Sequence, residues 1–181
     1  MNKYINEFYR KKIILNGEFK LKSGQISNYY INCRKLFEFP NLLKEISNDI
    51  INKYIKNKKV DWICGVPNGA IPLASTISIL SGIPMLLLRK QEKEHGLCNQ
   101  IDGEFKQGDS VIILEDVVTT GGSLNEFCEL LLKNKLNIVS KICIINRGKI
   151  NEIESLITYD FNNFDNKLVK NLDKNIIWAA D

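Results

Sequence analysis

Apolar and polar positions along the chain follow two periods. Ile5, Phe8, Tyr9 and Ile13 recur at helical spacing within Lys3 to Leu15, which predicts an N-terminal helix ended by Gly17. Phe19-Lys20-Leu21 alternates like a short strand, Ser23-Gly24 reads as a turn, and Tyr29 to Asn32 reads as a second short strand, so an antiparallel hairpin is expected. Pro40 to Asn57 reads as a helix. Proline suits its first turn, and Leu43, Ile46, Ile50 and Tyr54 form a stripe that Leu42, Ile51 and Ile55 widen. Continuous apolar runs follow. Val60 to Cys64, Ile83 to Leu88, Val111 to Leu114 and Val139 to Ile145 read as strands covered on both faces, as in a parallel sheet. Helices are expected at Ala70 to Leu80 and at Ser123 to Asn134, where Leu124, Phe127, Cys128, Leu131 and Leu132 share a face. Ile153 to Ile157 reads as an edge strand, Asp165 to Leu172 as a last helix, and Ile176 to Ala180 as an apolar ending. Strands alternating with helices predict an α/β fold with a central, mostly parallel sheet flanked by helices.

The uncharged stretch from Trp62 to Leu88 is long enough to span a bilayer. Pro67, Pro72, Pro84, Gly65, Gly69, Gly82 and Asn68 divide it into strand, turn, helix and strand, so it reads as a buried βαβ unit instead. The 181 residues suffice for one domain with a good-sized core, taken as 1–181, and neither a second domain nor a membrane span is expected. A net charge of +4 is too mild to argue for nucleic acid, and a site for a polyanionic substrate accounts for it as well. The five cysteines form no CxxC pair, and Cys64, Cys128 and Cys143 lie in apolar segments. No disulfide framework or zinc site is suggested, and with no apolar leader in Met1 to Glu7 a cytoplasmic location is expected.

Chemistry concentrates after the run Val111 to Leu114. Glu115 and Asp116 follow it, then Val117, Val118 and the small residues Thr119, Thr120, Gly121, Gly122 and Ser123, then a helix. Ligands of open α/β sheets bind at the C-terminal ends of strands. Backbone N–H groups ahead of a helix N-terminus make an anion site, most simply for a phosphate. Two carboxylates beside such a cradle can accept hydrogen bonds from sugar hydroxyls or help hold Mg²⁺. The loop Gly65-Val66-Pro67-Asn68-Gly69 offers further N–H groups ahead of a helix. Arg89-Lys90-Gln91-Glu92-Lys93-Glu94-His95-Gly96 opens a long loop with little periodicity as far as Gly103, which reads as a solvated charged loop or a mobile lid. Arg147, after the strand Val139 to Ile145, has a fork suited to a planar anion.

The stretch Val111 to Ser123 resembles the phosphoribosyl-diphosphate signature of the type I phosphoribosyltransferases. The loop Gly65-Val66-Pro67 with Ile71-Pro72-Leu73-Ala74 most resembles the transferase domain of UMP synthases, and three further segments resemble the orotate phosphoribosyltransferases. Phe19-Lys20-Leu21-Lys22-Ser23-Gly24 with Ser27-Asn28-Tyr29-Tyr30 matches that family's hood, except that Asn28 replaces a proline. The run Arg89, Lys90, Lys93, His95 matches its catalytic loop. Asn146-Arg147 matches its Asp-Arg, with Asn146 the departure. The resemblance implies a type I phosphoribosyltransferase fold with a hood at about 16–36 plus the N-terminal helix, a core at about 40–160 and a mobile catalytic loop. It implies transfer of the 5-phosphoribosyl group from phosphoribosyl diphosphate to orotate in pyrimidine biosynthesis, with Mg²⁺ carried mainly by substrate. Lys93, His95 and Asp116 are then the catalytic candidates. Lys22, Arg89, Lys90, Glu115, Asp116 and Val117 to Ser123, with Lys93 and His95, are expected to bind phosphoribosyl diphosphate. Ser23, Gly24, Tyr29, Tyr30, Thr119 and Arg147 are expected to bind orotate. The family's loop closes over a neighbouring subunit, which implies a homodimer with shared active sites. Association with a separate orotidine 5′-monophosphate decarboxylase is a further expectation.

Two rival readings stand beside this one. A purine phosphoribosyltransferase would share the chemistry, but Lys22-Ser23-Gly24 and Arg147 argue for orotate. A non-catalytic phosphoribosyl-diphosphate sensor would keep the signature strand but need not keep the cations Lys93 and His95.

Overall fold

The structure, a computed structural model, describes residues 3–20, 26–90 and 100–158. Helix α1 (Lys3–Arg10) leads into an antiparallel hairpin of β1 (Ile14–Lys20) and β2 (Ile26–Ile31). A short 3₁₀ helix (Cys33–Glu38) and α2 (Pro40–Ile50) follow. Then β3 (Trp62–Gly65), α3 (Ile71–Ser81), β4 (Met85–Leu88), β5 (Ile101–Asp102), β6 (Ser110–Val118), α4 (Gly122–Lys133), β7 (Asn137–Asn146) and β8 (Glu154–Thr158) complete the described chain. Strands β3 to β8 form one sheet in the order β5-β4-β3-β6-β7-β8. All its pairings are parallel except that of β5 with β4.

The continuous apolar runs are explained by a sheet covered on both faces. Ile63, Ile112, Leu114 and Ile142 face one core, shared with Ile5 and Phe8 of α1, Ile46 and Ile50 of α2, and Leu73 and Ile77 of α3. Val111, Ile113 and Cys143 face the other, with Leu124, Phe127, Cys128 and Leu131 of α4. Cys33, Cys64, Cys128 and Cys143 are buried free thiols. Among the described residues no helix is long and apolar enough to cross a membrane, and 62–88 resolves into β3, a turn, α3 and β4.

Several boundaries differ from expectation. Helix α1 stops at Arg10, because Lys12 turns into the left-handed region (φ 55°), and Ile14 and Leu15 join β1 instead. The hairpin therefore starts two residues before the expected 16. The helix expected to run to Asn57 ends its α-helical part at Ile50 and continues as a wider turn over Ile51–Ile55. Leu132, expected on the buried face of α4, is 58% exposed. Strand β5 was not expected at all: Leu87 and Leu88 pair with Asp102 and Ile101 and so end the loop before Gly103. The strand carrying the carboxylates is longer than its apolar run, since β6 stays paired to β7 through Val118.

This strand order creates the site. From β3 the chain crosses through α3 to β4 on one side, and from β6 it crosses through α4 to β7 on the other. The crossovers diverge between β3 and β6, so the loops after these two strands flank a crevice, the usual binding place of an open α/β sheet.

Candidate active site

The last turns of β6 place both carboxylates in the crevice. Glu115 is 8% exposed and accepts the Asp116 N–H at 2.9 Å. Asp116 is half-buried and accepts the Val117 N–H at 2.8 Å. Burial, followed by the hydrogen bond and charge of Asp116, pushes the Glu115 carboxyl well above its ordinary value, while Lys90 across the crevice pulls it the other way. Gly69 lies directly against Asp116: a Cβ there would come within 2.6 Å of Oδ2. The loop after β3 is thus packed on the carboxylate without a side chain of its own.

Beyond the carboxylates the chain makes a hollow of about 150 Å³, lined by Glu115 and by Val117 to Leu124. Thr119, Thr120, Gly122 and Ser123 are exposed in it. Gly121 caps α4 in the left-handed conformation (φ 80°), which a side chain would resist, and its carbonyl accepts the Asn125 N–H at 2.8 Å. The first N–H groups of a helix have no partner within it, and the first turn of α4 carries no acidic residue. Small residues, exposed hydroxyls and a helix N-terminus without a carboxylate suit a phosphate. A larger hollow of about 520 Å³ lies between α1 and the start of α2, away from these groups.

The end of β7 closes the other side. The N–H groups of Arg147 and Gly148 both donate to the Val118 carbonyl, at 2.8 and 3.2 Å. Gly148 is required by close approach, since a Cβ there would sit 1.8 Å from the Thr119 carbonyl oxygen. Asn146 is 2% exposed; its amide donates to the Ile150 carbonyl at 2.8 Å and its oxygen accepts the Ile150 N–H at 3.0 Å. A carboxylate could make only the second of these bonds. The Arg147 side chain reaches the hairpin, donating from Nε to the Tyr29 hydroxyl at 2.5 Å and from Nη2 to Ser27 Oγ at 3.2 Å.

The chain matches the model of the phosphoribosyl transferase domain over residues 34–170. It is 39% identical over 146 residues to an orotate phosphoribosyltransferase of Methanosphaera stadtmanae, covering 81% of this chain and 82% of that one. It is 40% identical over 144 residues to that of Methanocaldococcus jannaschii, covering 80% of each. The chain belongs to the orotate phosphoribosyltransferase family. Among solved structures, Leishmania donovani UMP synthase superposes with a TM-score of 0.72 at 30% identity, over 83% of this chain. The chain spans only 34% of that protein. An adenine phosphoribosyltransferase superposes with a TM-score of 0.69 at 19% identity, over 86% of this chain and all of that one. That is a likeness of fold alone, so the fold does not select the base.

Against this family pattern the expected site residues divide into three groups. Glu115, Asp116, Val117 to Ser123 and Arg147 come together around the crevice, with exposed Lys90 near Glu115. Arg89, expected to bind phosphoribosyl diphosphate, is paired with Asp102, Nε to Oδ2 at 2.5 Å, and its N–H donates to the Gln100 carbonyl. Tyr29 is 3% exposed with its hydroxyl on Arg147, and Tyr30 stacks at 5.6 Å on Phe19. Lys22, Ser23, Gly24, Lys93 and His95 lie outside the described residues, as do Cys98 and everything after Thr158. Ser27 and Gly148 were not expected among the site residues, and Gly69 was expected only as part of a loop offering N–H groups. Each matters through a contact with a residue distant in the chain, and local spacing carries no sign of that.

Proposed function

We infer that the protein transfers the 5-phosphoribosyl group from phosphoribosyl diphosphate to orotate, giving orotidine 5′-monophosphate and diphosphate in pyrimidine biosynthesis. The reading is supported most by the hollow of Val117 to Leu124 beside Glu115, with the Arg147 backbone bonded to Val118 at its edge and the Arg147 guanidinium bonded to the hairpin. Thr119 to Ser123 bind the 5-phosphate through N–H groups and hydroxyls. Glu115 and Asp116 accept hydrogen bonds from the ribose hydroxyls. Arg147 offers its fork to the orotate carboxylate. As the bond from C1 of the ribose to diphosphate breaks, negative charge builds on the leaving group, and a nearby cation lowers the barrier. Lys90 is suited to that, and the sequence pattern adds Lys22, Lys93 and His95. Arg89, which also pairs with Asp102, is a further cation suited to the diphosphate.

No cluster of three or more metal-binding side chains occurs among the described residues. Two adjacent carboxylates fit a Mg²⁺ ion that arrives with its phosphates and keeps most of its other ligands. When bound, the ion shields the diphosphate charge. The reading extends to one domain over the whole chain, a homodimer with shared sites and a cytoplasmic location. The family resemblance of the charged loop supports the dimer, and the four buried free thiols suit a reducing compartment. Likeness to a UMP synthase supports association with a separate orotidine 5′-monophosphate decarboxylase.

A purine acceptor has no carboxylate for Arg147, so desolvating the guanidinium would go unrepaid. The test is diphosphate release with phosphoribosyl diphosphate and Mg²⁺. Release that needs orotate, and is not supported by adenine or hypoxanthine, is expected. Release with a purine alone would contradict the assignment.

A further inference from the structure

Arg147 is held by neutral groups. Nε donates to the Tyr29 hydroxyl, Nη2 donates to Ser27 Oγ, and the guanidinium carbon lies 4.4 Å from the centroid of the Tyr29 ring. Ser27 in turn donates to the Tyr29 carbonyl at 2.7 Å. Both residues are buried on β2, so the tether is part of the hairpin and not a passing surface contact. Among the described residues no carboxylate pairs with Arg147. The neighbouring position 146 is an amide already bonded to Ile150.

A guanidinium has five N–H groups, and these contacts use two. A carboxylate partner would orient the group but also neutralise it and compete with an anionic substrate. Hydroxyl partners orient it and leave its charge available. Arginine also loses much rotamer freedom when immobilised, so fixing it beforehand removes that cost from binding.

We propose that Tyr29 is a positioning residue for base selection: its hydroxyl, with Ser27, presets Arg147 to receive a carboxylate-bearing base. This rests on the function proposed above and adds a residue that acts on the base through Arg147. Tyr29 thereby links the hairpin to the core, and the hairpin contributes to choosing the acceptor.

Steady-state kinetics of Tyr29→Phe test this. The ring is kept, so packing is kept. The orotate KM is expected to rise about tenfold, the scale of one hydrogen bond to a charged group, with the KM for phosphoribosyl diphosphate and the melting temperature unchanged. Ser27→Ala, which removes the second tether, is expected to raise the same KM selectively, and it carries the test should Tyr29→Phe fold poorly. An orotate KM within twofold of the unsubstituted protein overturns the proposal. So does an equal rise in both KM values with a lower melting temperature, which would mark a purely structural role. No orotate turnover by the unsubstituted protein would overturn the proposed function itself, and this inference with it; the two failures are therefore distinguishable.

Discussion

Gly69→Ala probes how the loop after β3 serves the carboxylates of β6. The added Cβ would lie 2.6 Å from Asp116 Oδ2 and 2.9 Å from its Cγ. Ordinary contact begins near 3.4 Å, so one side must yield by about 0.8 Å. The loop cannot easily be that side. Val66 N–H donates to the Leu114 carbonyl at 2.9 Å, Ala70 N–H to the Val66 carbonyl at 3.2 Å, and Gly65 is pressed against the Ala70 carbonyl. Asp116 yields instead, against its hydrogen bond from Val117 N–H. A 1 Å misplacement of a positioning group costs roughly 10²-fold. Scaled to this shift, kcat/KM for phosphoribosyl diphosphate should fall about 40-fold, or about 2 kcal/mol. The assay is initial-rate kinetics with phosphoribosyl diphosphate varied, beside a thermal melt. Overpacking of about 1–3 kcal/mol would lower the melting temperature by roughly 2–4 °C per kcal/mol in a chain of this size. A kcat/KM within threefold of the original in a folded variant would refute the argument that Asp116 positions the sugar.

Gly148→Ala should be worse, because its Cβ would meet the Thr119 backbone carbonyl at 1.8 Å and backbone cannot rotate aside; calorimetry should show phosphoribosyl diphosphate binding lost, and retained affinity would count against the cradle. Asn146→Asp should cost about 1–3 kcal/mol in denaturant unfolding, because the bond to the Ile150 carbonyl is lost and a buried carboxylate is left facing that oxygen; an unchanged midpoint would contradict this. Glu115 predicts a pH effect on the unliganded protein. Burial and the neighbouring Asp116 raise its folded pKa well above the ordinary 4.5, so its contribution to stability is complete below about 4.5 and is lost as pH rises through the raised value. Melting temperatures of Glu115→Gln should therefore decline less over that interval than those of the original, and parallel curves would refute the assignment.

What was legible in the sequence follows from burial. The strands after Lys59 are covered on both faces, so their apolar runs announce them, and Val111 to Ser123 carries strand, carboxylates, cradle and helix in one contiguous stretch. Contacts that span the chain were hidden. Ser27 and Arg147 are 120 positions apart, and only the fold brings them to 3.2 Å. Strand β5 escaped notice because two residues have no period, and its existence depends on pairing with Leu87 and Leu88 beside the Arg89–Asp102 ion pair. Leu132 was placed on the core by its spacing within α4, yet the buried arc of that helix is centred on Leu124, Phe127, Cys128 and Leu131, and Leu132 lies at its edge in water.

The proposed function requires that the cradle and Arg147 together select orotate as acceptor. Its most direct measurement is loss of the orotate absorbance band in the presence of phosphoribosyl diphosphate and Mg²⁺, with mass analysis of the product. Orotate consumption matched one to one by orotidine 5′-monophosphate, with uracil, adenine and hypoxanthine inert, is the predicted result. No loss of orotate, or equal turnover of uracil, would contradict it.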